Sequence, residues 1–115
     1  MPLPVLDEGL DEAEMEAMME NARRATNFLK ALAHEGRMLV LCHLASGEKS
    51  VTQLETLLSA RQAAVSQQLA RLRHEGLVDF RRDGRTIYYF LSDERARRMI
   101  EVVYDLFCAQ TKDAA

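Results

Sequence analysis

Residues 50–91 read SVTQLETLLSARQAAVSQQLARLRHEGLVDFRRDGRTIYYFL, and this stretch decides the fold. Thr52-Gln53-Leu54-Glu55 has the form of a capping box, in which the Thr hydroxyl accepts from an orphan helix N–H and the Glu carboxylate reaches back to the cap's own N–H. Ser59-Ala60-Arg61-Gln62 repeats the form seven residues later, leaving room for one helix of about two turns and a tight turn. The second helix of the pair presents Gln62, Ala63, Ser66, Gln67 and Arg71, whose polar members can hydrogen-bond base edges and phosphates. Beyond it, Leu77–Arg82 and Arg85–Leu91 flank Asp83-Gly84. That pairing predicts a β-hairpin closed by a type I′ turn, with positive φ at both central residues. Arg81, Arg82 and Arg85 gather positive charge around its tip, where a phosphate backbone could pass. Two short helices followed by a hairpin are the parts of a winged helix-turn-helix.

The charge along the chain agrees with that reading, although the whole is acidic at −3 with a pI near 5.6. Seven acids (Asp7, Glu8, Asp11, Glu12, Glu14, Glu16, Glu20) and no base occupy residues 1–20, so the remainder carries fifteen basic against eleven acidic residues. Between Arg61 and Arg85 six arginines face only Glu75, Asp79 and Asp83, the local excess that phosphate binding requires.

Outside this segment the pattern is helical. Residues 1–9, with Pro2, Pro4 and Gly9, read as a loose tail. From about Leu10 the apolar positions Met15, Met18, Ala22, Ala25, Leu29 and Leu32 recur at three and four, predicting one long amphipathic helix. After His34-Glu35-Gly36 a core helix carries Met38, Leu39, Leu41, Cys42, Leu44 and Ala45, with Gly47 as its C-terminal cap. Ser92-Asp93-Glu94 opens a last helix whose apolar stripe is Ala96, Met99, Ile100, Val103, Phe107 and Cys108. The expected fold is therefore a mainly α, five-helix winged helix-turn-helix over 1–115 as a single domain. The first and last helices carry more apolar face than so small a domain covers alone, which predicts a homodimer through those two helices. No apolar run is long enough for a membrane span and the acidic N-terminus lacks the basic start of a signal peptide, so a cytoplasmic protein is expected.

Cys42 and Cys108 stand sixty-six residues apart and form no CxxC zinc pattern; no metal or other cofactor is expected. Taken from the residues alone they fit buried small hydrophobes better than reactive groups. A thiol enzyme would need an adjacent base or helix N-terminus, and both cysteines instead fall inside apolar helical stripes. Lys112, a helical turn beyond Cys108, is the nearby cation by spacing. His34, His43 and His74 lie on three different segments and read as structural or solvated. Tyr88 and Tyr89 alternate across the second wing strand, so they should point to opposite faces.

Arg37-Met38-Leu39-Val40-Leu41, Ala64-Val65-Ser66-Gln67-Gln68-Leu69 and Gly84-Arg85-Thr86-Ile87-Tyr88-Tyr89, in this order, resemble the ArsR/SmtB family of bacterial repressors from about Ala22 onward. The resemblance implies a homodimer on operator double-stranded DNA, with Gln62, Ala63, Ser66, Gln67 and Arg71 on the recognition helix and Arg82 and Arg85 on the wing, released by an inducer. The metal sites of that family do not carry over. Leu54-Glu55-Thr56-Leu57 replaces the Cys-x-Cys pair, Arg95 stands where an Asp-x-His motif beginning at Asp93 would place its His, and the last helix contains no His. Leu41-Cys42-His43-Leu44 and Leu106-Phe107-Cys108 are instead similar to the pair in the persulfide-sensing SqrR/BigR-like subgroup. That likeness implies that Cys42 and Cys108 are regulatory thiols, that reactive sulfur species are the inducer, and that a polysulfide or disulfide bridge relieves repression. A metal- or general-redox-responsive repressor and a thiol-dependent sulfur-transfer enzyme stay open as alternatives.

Overall fold

The computed structural model describes residues 9–109, and two compact units are distinguished, one ending at Lys30 and one beginning at Ala31. The first unit holds most of helix α1 (Glu12–Leu32). Asp11 starts it by accepting from the Glu14 N–H at 2.7 Å, and Glu20 pairs with Arg23 one turn apart. Met15, Met19 and Leu29 are exposed along it. The expected tail lies, but for Gly9, outside the described residues, as does Lys112.

The second unit runs α2 (Glu35–Ala45), β1 (Lys49–Ser50), α3 (Val51–Leu58), α4 (Gln62–His74), β2 (Val78–Asp83), β3 (Thr86–Leu91) and α5 (Glu94–Val103), the last continuing into a π turn over Tyr104–Cys108. Its core is made by Val40, Leu41 and Leu44 of α2, Leu54 of α3, Val65, Leu69 and Leu72 of α4, Leu77, Val78, and Ala96 and Ile100 of α5. The spacing of Val65, Leu69 and Leu72 at four and three keeps one face of α4 inward. Truncating Leu69, fully buried, would cost about 2–5 kcal/mol, the transfer term plus the cavity left behind. The three strands are antiparallel in the order β1-β3-β2, with Lys49 opposite Tyr89 and Phe80 opposite Tyr89 on its other side.

Both expected capping boxes are displaced. Ser50, not Thr52, caps α3: its hydroxyl accepts from Gln53 N–H at 3.1 Å and the Gln53 amide oxygen accepts from Ser50 N–H at 2.8 Å. Gln serves as well as Glu in this motif, and the earlier start lets Leu54 reach the core. Ser59 ends α3 in the left-handed region at φ 50° instead of starting α4, and Arg61 precedes α4 with no side-chain cap. Ser46 is the cap residue of α2, one place before the expected Gly47, which follows it at φ 136°.

The wing turn also differs by one residue. Asp83 pairs with Thr86, so Gly84-Arg85 forms the loop, and only Gly84 has positive φ, 62°. A turn with glycine at its first central position needs one such residue rather than two, which leaves Asp83 in the ladder. The third strand, β1, is two residues long and too short for an alternating pattern to reveal it. Tyr88 and Tyr89 do point apart: Tyr89 packs on Phe80 with ring centres 5.6 Å apart, while Tyr88 lies 4.7 Å beneath the Arg81 guanidinium.

Candidate nucleic-acid interface and thiol pair

Because Val65, Leu69 and Leu72 turn α4 inward, the opposite face carries Gln62, Ala63, Ser66, Gln67 and Arg71, all exposed. Arg71 is tethered to Glu75 at 3.2 Å on the same helix. The start of α4 and the wing tip approach each other around a polar cleft of about 220 Å³, lined by Ser50, Val51, Thr52, Gln62, Arg85, Thr86 and Ile87. Gln62 and Arg85, expected as separate contacts, thus share one concavity. It holds an arginine and several hydroxyl and amide groups but no carboxylate. Thr52 and Thr86 in that lining are additions to the sequence reading, since only the packing of α3 beside the wing brings them together.

The wing arginines divide by partner. Arg81 is held by both carboxylate oxygens of Glu48, with Nε 2.9 Å from Oε2, and this pairing pulls Glu48 below the usual carboxylate range. Arg82 lies 5.8 Å from the centre of the Phe80 ring, whose other visitor is Arg73 at 4.3 Å. Arg82 and Arg85 are exposed, the latter at the turn. Glu48 is thirty-three residues from Arg81, so no local pattern could have joined them.

The two thiols lie on α2 and at the end of the π turn that continues α5, the helix packed on α2. Arg97 of α5 donates to the Ala45 carbonyl at 3.1 Å, tying the two helices one turn beyond Cys42. Cys42 is half-buried and Cys108 exposed, and both are free thiols. Burial pushes the Cys42 thiol up, and negative charge on Cys108 pushes it the same way. Cys108, read as part of an apolar stripe, is exposed within the single chain. Phe107, on the same stripe, is 71% exposed, and Leu106 is exposed beside it. The π turn is the physical reason: the N–H of Ala109 bonds to Tyr104 five residues back, and the added residue shifts the phase of everything after it.

Asp93 caps α5 by accepting from the Arg95 N–H at 2.7 Å, and its carboxylate also receives the Arg95 guanidinium at 2.7 Å. That hydrogen bonding holds its carboxyl below the usual range. Among the described residues no group of three or more His, Cys, Asp or Glu side chains is placed to hold a metal ion. Among the same residues no helix is long and apolar enough to cross a membrane.

Comparison with known proteins adds four likenesses. The sequence profile of bacterial regulatory proteins of the arsR family matches residues 34–79, which span α2 to the start of the wing. A biofilm growth-associated repressor of Agrobacterium fabrum is 44% identical over 106 residues, covering 90% of this chain and 91% of that protein. Reduced HlyU from Vibrio cholerae superposes with a TM-score of 0.78 at 41% identity, over 81% of this chain and 98% of that one. The transcriptional repressor BigR from Xylella fastidiosa does so with 0.76 at 38% identity, over 83% and 97%.

Proposed function

We propose that this chain, which belongs to the arsR family of bacterial regulatory proteins, is a cytoplasmic repressor that holds operator DNA while Cys42 and Cys108 are reduced and releases it when they are bridged. The observation that supports the reading is that one free thiol lies on α2 and the other at the end of the segment that continues α5, the helix packed on α2, in a fold whose recognition helix turns a polar face outward. A relative solved in a form called reduced and relatives named repressors support it.

On this reading α4 enters the major groove, whose width admits a helix, with Gln62, Ala63, Ser66 and Gln67 toward the bases. Arg71, Arg82 and Arg85 meet the backbone, and the cleft between Thr52, Gln62 and Arg85 is of a size and polarity to take one phosphate. The exposed Val102, Tyr104, Leu106 and Phe107, with Met15, Met19 and Leu29 of α1, supply apolar surface for a homodimer. Two-fold symmetry then sets half-sites about one helical turn, or a multiple of it, apart.

Reactive sulfur species act as inducer. Two low-molecular-weight persulfides deliver their outer sulfur atoms in turn to one cysteine and leave as thiols. The other cysteine's thiolate then attacks the middle sulfur of the resulting Cys–S–S–SH and expels hydrosulfide, so the electrons removed from the pair end on sulfide. A direct disulfide needs Cα atoms about 4.4–6.8 Å apart, whereas each inserted sulfur adds a bond of about 2.05 Å and a free torsion. Thiols on separate packed helices are thereby joined more easily by a polysulfide than by peroxide-driven disulfide formation.

Mass spectrometry of the reduced protein after persulfide treatment, paired with an operator gel shift, tests the reading. A mass gain of whole sulfur atoms linking the Cys42 and Cys108 peptides, with DNA released, is expected. Unchanged peptides, or release by peroxide as ready as by persulfide, would overturn it.

A further inference from the structure

We propose that the π turn Tyr104–Cys108 is the element that aims Cys108 at Cys42, and that one residue of helical register there decides whether the two thiols can be joined. The proposal deepens the two-thiol reading above and rests on it. Ala96 and Ile100 are buried and Val103 half-buried on the inner face of α5, and an uninterrupted α-helix would continue that face at Phe107. Phe107 is instead 71% exposed. The five-residue bond from Ala109 N–H to the Tyr104 carbonyl inserts one position, which sets later side chains back by about 100° relative to a straight helix. Cys108 thereby takes the direction that residue 107 would otherwise hold, along the line of Ile100 and Val103. Its charge is felt at Cys42, and the Arg97 bond to Ala45 fixes α5 against the helix that carries Cys42.

No proline or glycine lies in Tyr104–Cys108 to force the turn locally. Without it, an α-helical tail would carry Phe107 inward and turn Cys108 toward the side where Leu106 and Phe107 now stand. The insertion thus does two things at once: it presents a thiol to the partner helix and an aromatic ring to the outside.

The π turn makes an unusual demand on variants. Deleting Asp105 removes the extra residue and restores α geometry, yet leaves Cys108 in its present phase. Moving the thiol one place earlier, by Phe107→Cys with Cys108→Ala, keeps the π turn and points the sulfur away. Dibromobimane, which becomes fluorescent as two C–S bonds form and two bromides leave, reads the placement of both thiols without any oxidation. The reduced full-length chain and the Asp105-deleted chain should cross-link to Cys42 at rates within about threefold of each other, and the moved thiol at least about tenfold more slowly. Cross-linking of the moved thiol at the wild-type rate would overturn the assignment, as would a helical Asp105-deleted protein that fails to cross-link. Should the deletion not fold, the moved thiol decides alone. A wild-type chain that cross-links with dibromobimane but ignores persulfide would sink the sensing function and leave the placement standing.

Discussion

On the recognition helix every fourth or third residue is buried, and Gln62, Ser66 and Gln67 reach outward by the ordinary α period. On α5 the same period holds through Val103 and then breaks at the π turn that ends with Cys108. The first surface needs only to be regular and polar, because a duplex brings its own regular groove. The second, on the proposed reading, must bring one sulfur to one place, and a helix of fixed pitch assigns each position its direction in steps of about 100°. An added residue hands the direction of one position to the next. The two regions therefore respond differently to change: the DNA face in graded steps, the thiol pair in an all-or-none manner.

The largest expected effect breaks the second region outright. Cys42→Ser and Cys108→Ser should each abolish persulfide-triggered release of operator DNA while leaving the reduced protein's binding near normal, as followed by fluorescence anisotropy before and after treatment. Full response by either variant would mean that one thiol suffices.

Next comes the reading face. Gln67→Ala should cost about 1–3 kcal/mol on the cognate operator and relax preference at the base it reads, leaving non-specific binding almost intact. Arg85→Ala should act on all sequences alike and lower the slope of log affinity against log salt by about 0.9, the share of one neutralised phosphate. Since Gln62 and Arg85 line one cleft, a sequence-dependent loss from Arg85→Ala would assign that cleft to base readout rather than backbone.

How much of this was legible depended on the range of the interaction. The inward face of α4, the exposure of Gln62, Ser66 and Gln67 and the existence of the hairpin follow from patterns within a few residues, and the sequence showed them. Ser50 was passed over for Thr52 because both fit a cap and only the burial of Leu54 chooses between them. Asp83-Gly84 and Gly84-Arg85 differ by one step of register, which the six-residue ladder sets and the dipeptide does not. Glu48 on Arg81 and Arg97 on Ala45 come from packing between distant segments, and no local rule announces them or the π turn that ends at Cys108. The thiol pair itself was legible only through family resemblance.

A smaller effect probes the start of the helix that carries Cys108. Asp93→Ala removes the cap of α5 and should cost about 1 kcal/mol of stability, read from denaturant midpoints. Hydrogen bonds from Arg95 hold the Asp93 carboxyl below its ordinary value. Its stabilisation is therefore complete above the usual carboxylate range and disappears as pH falls through the lowered folded value. Wild type and Asp93→Ala should converge in stability at strongly acidic pH, and a gap that persists there would place the loss in packing rather than in the charged cap.

The smallest expected effect compares the thiols by charge rather than by position. Burial first, and the Cys108 charge second, raise the Cys42 thiol above its ordinary value, so at neutral pH Cys42 is held mainly as the unreactive thiol. On the proposed reading the more exposed Cys108 attacks the persulfide first and Cys42 is the resolving partner. The sign is testable with iodoacetamide, whose rate follows the thiolate fraction. Cys108→Ser should move the midpoint of Cys42 alkylation downward, since the raising charge is gone, yet leave it above an ordinary thiol, since burial remains the larger cause. A midpoint unmoved by Cys108→Ser would mean that the two sulfurs do not feel each other in solution. One that falls to the ordinary thiol value would mean that the charge, and not the half-buried seat on α2, keeps Cys42 protonated.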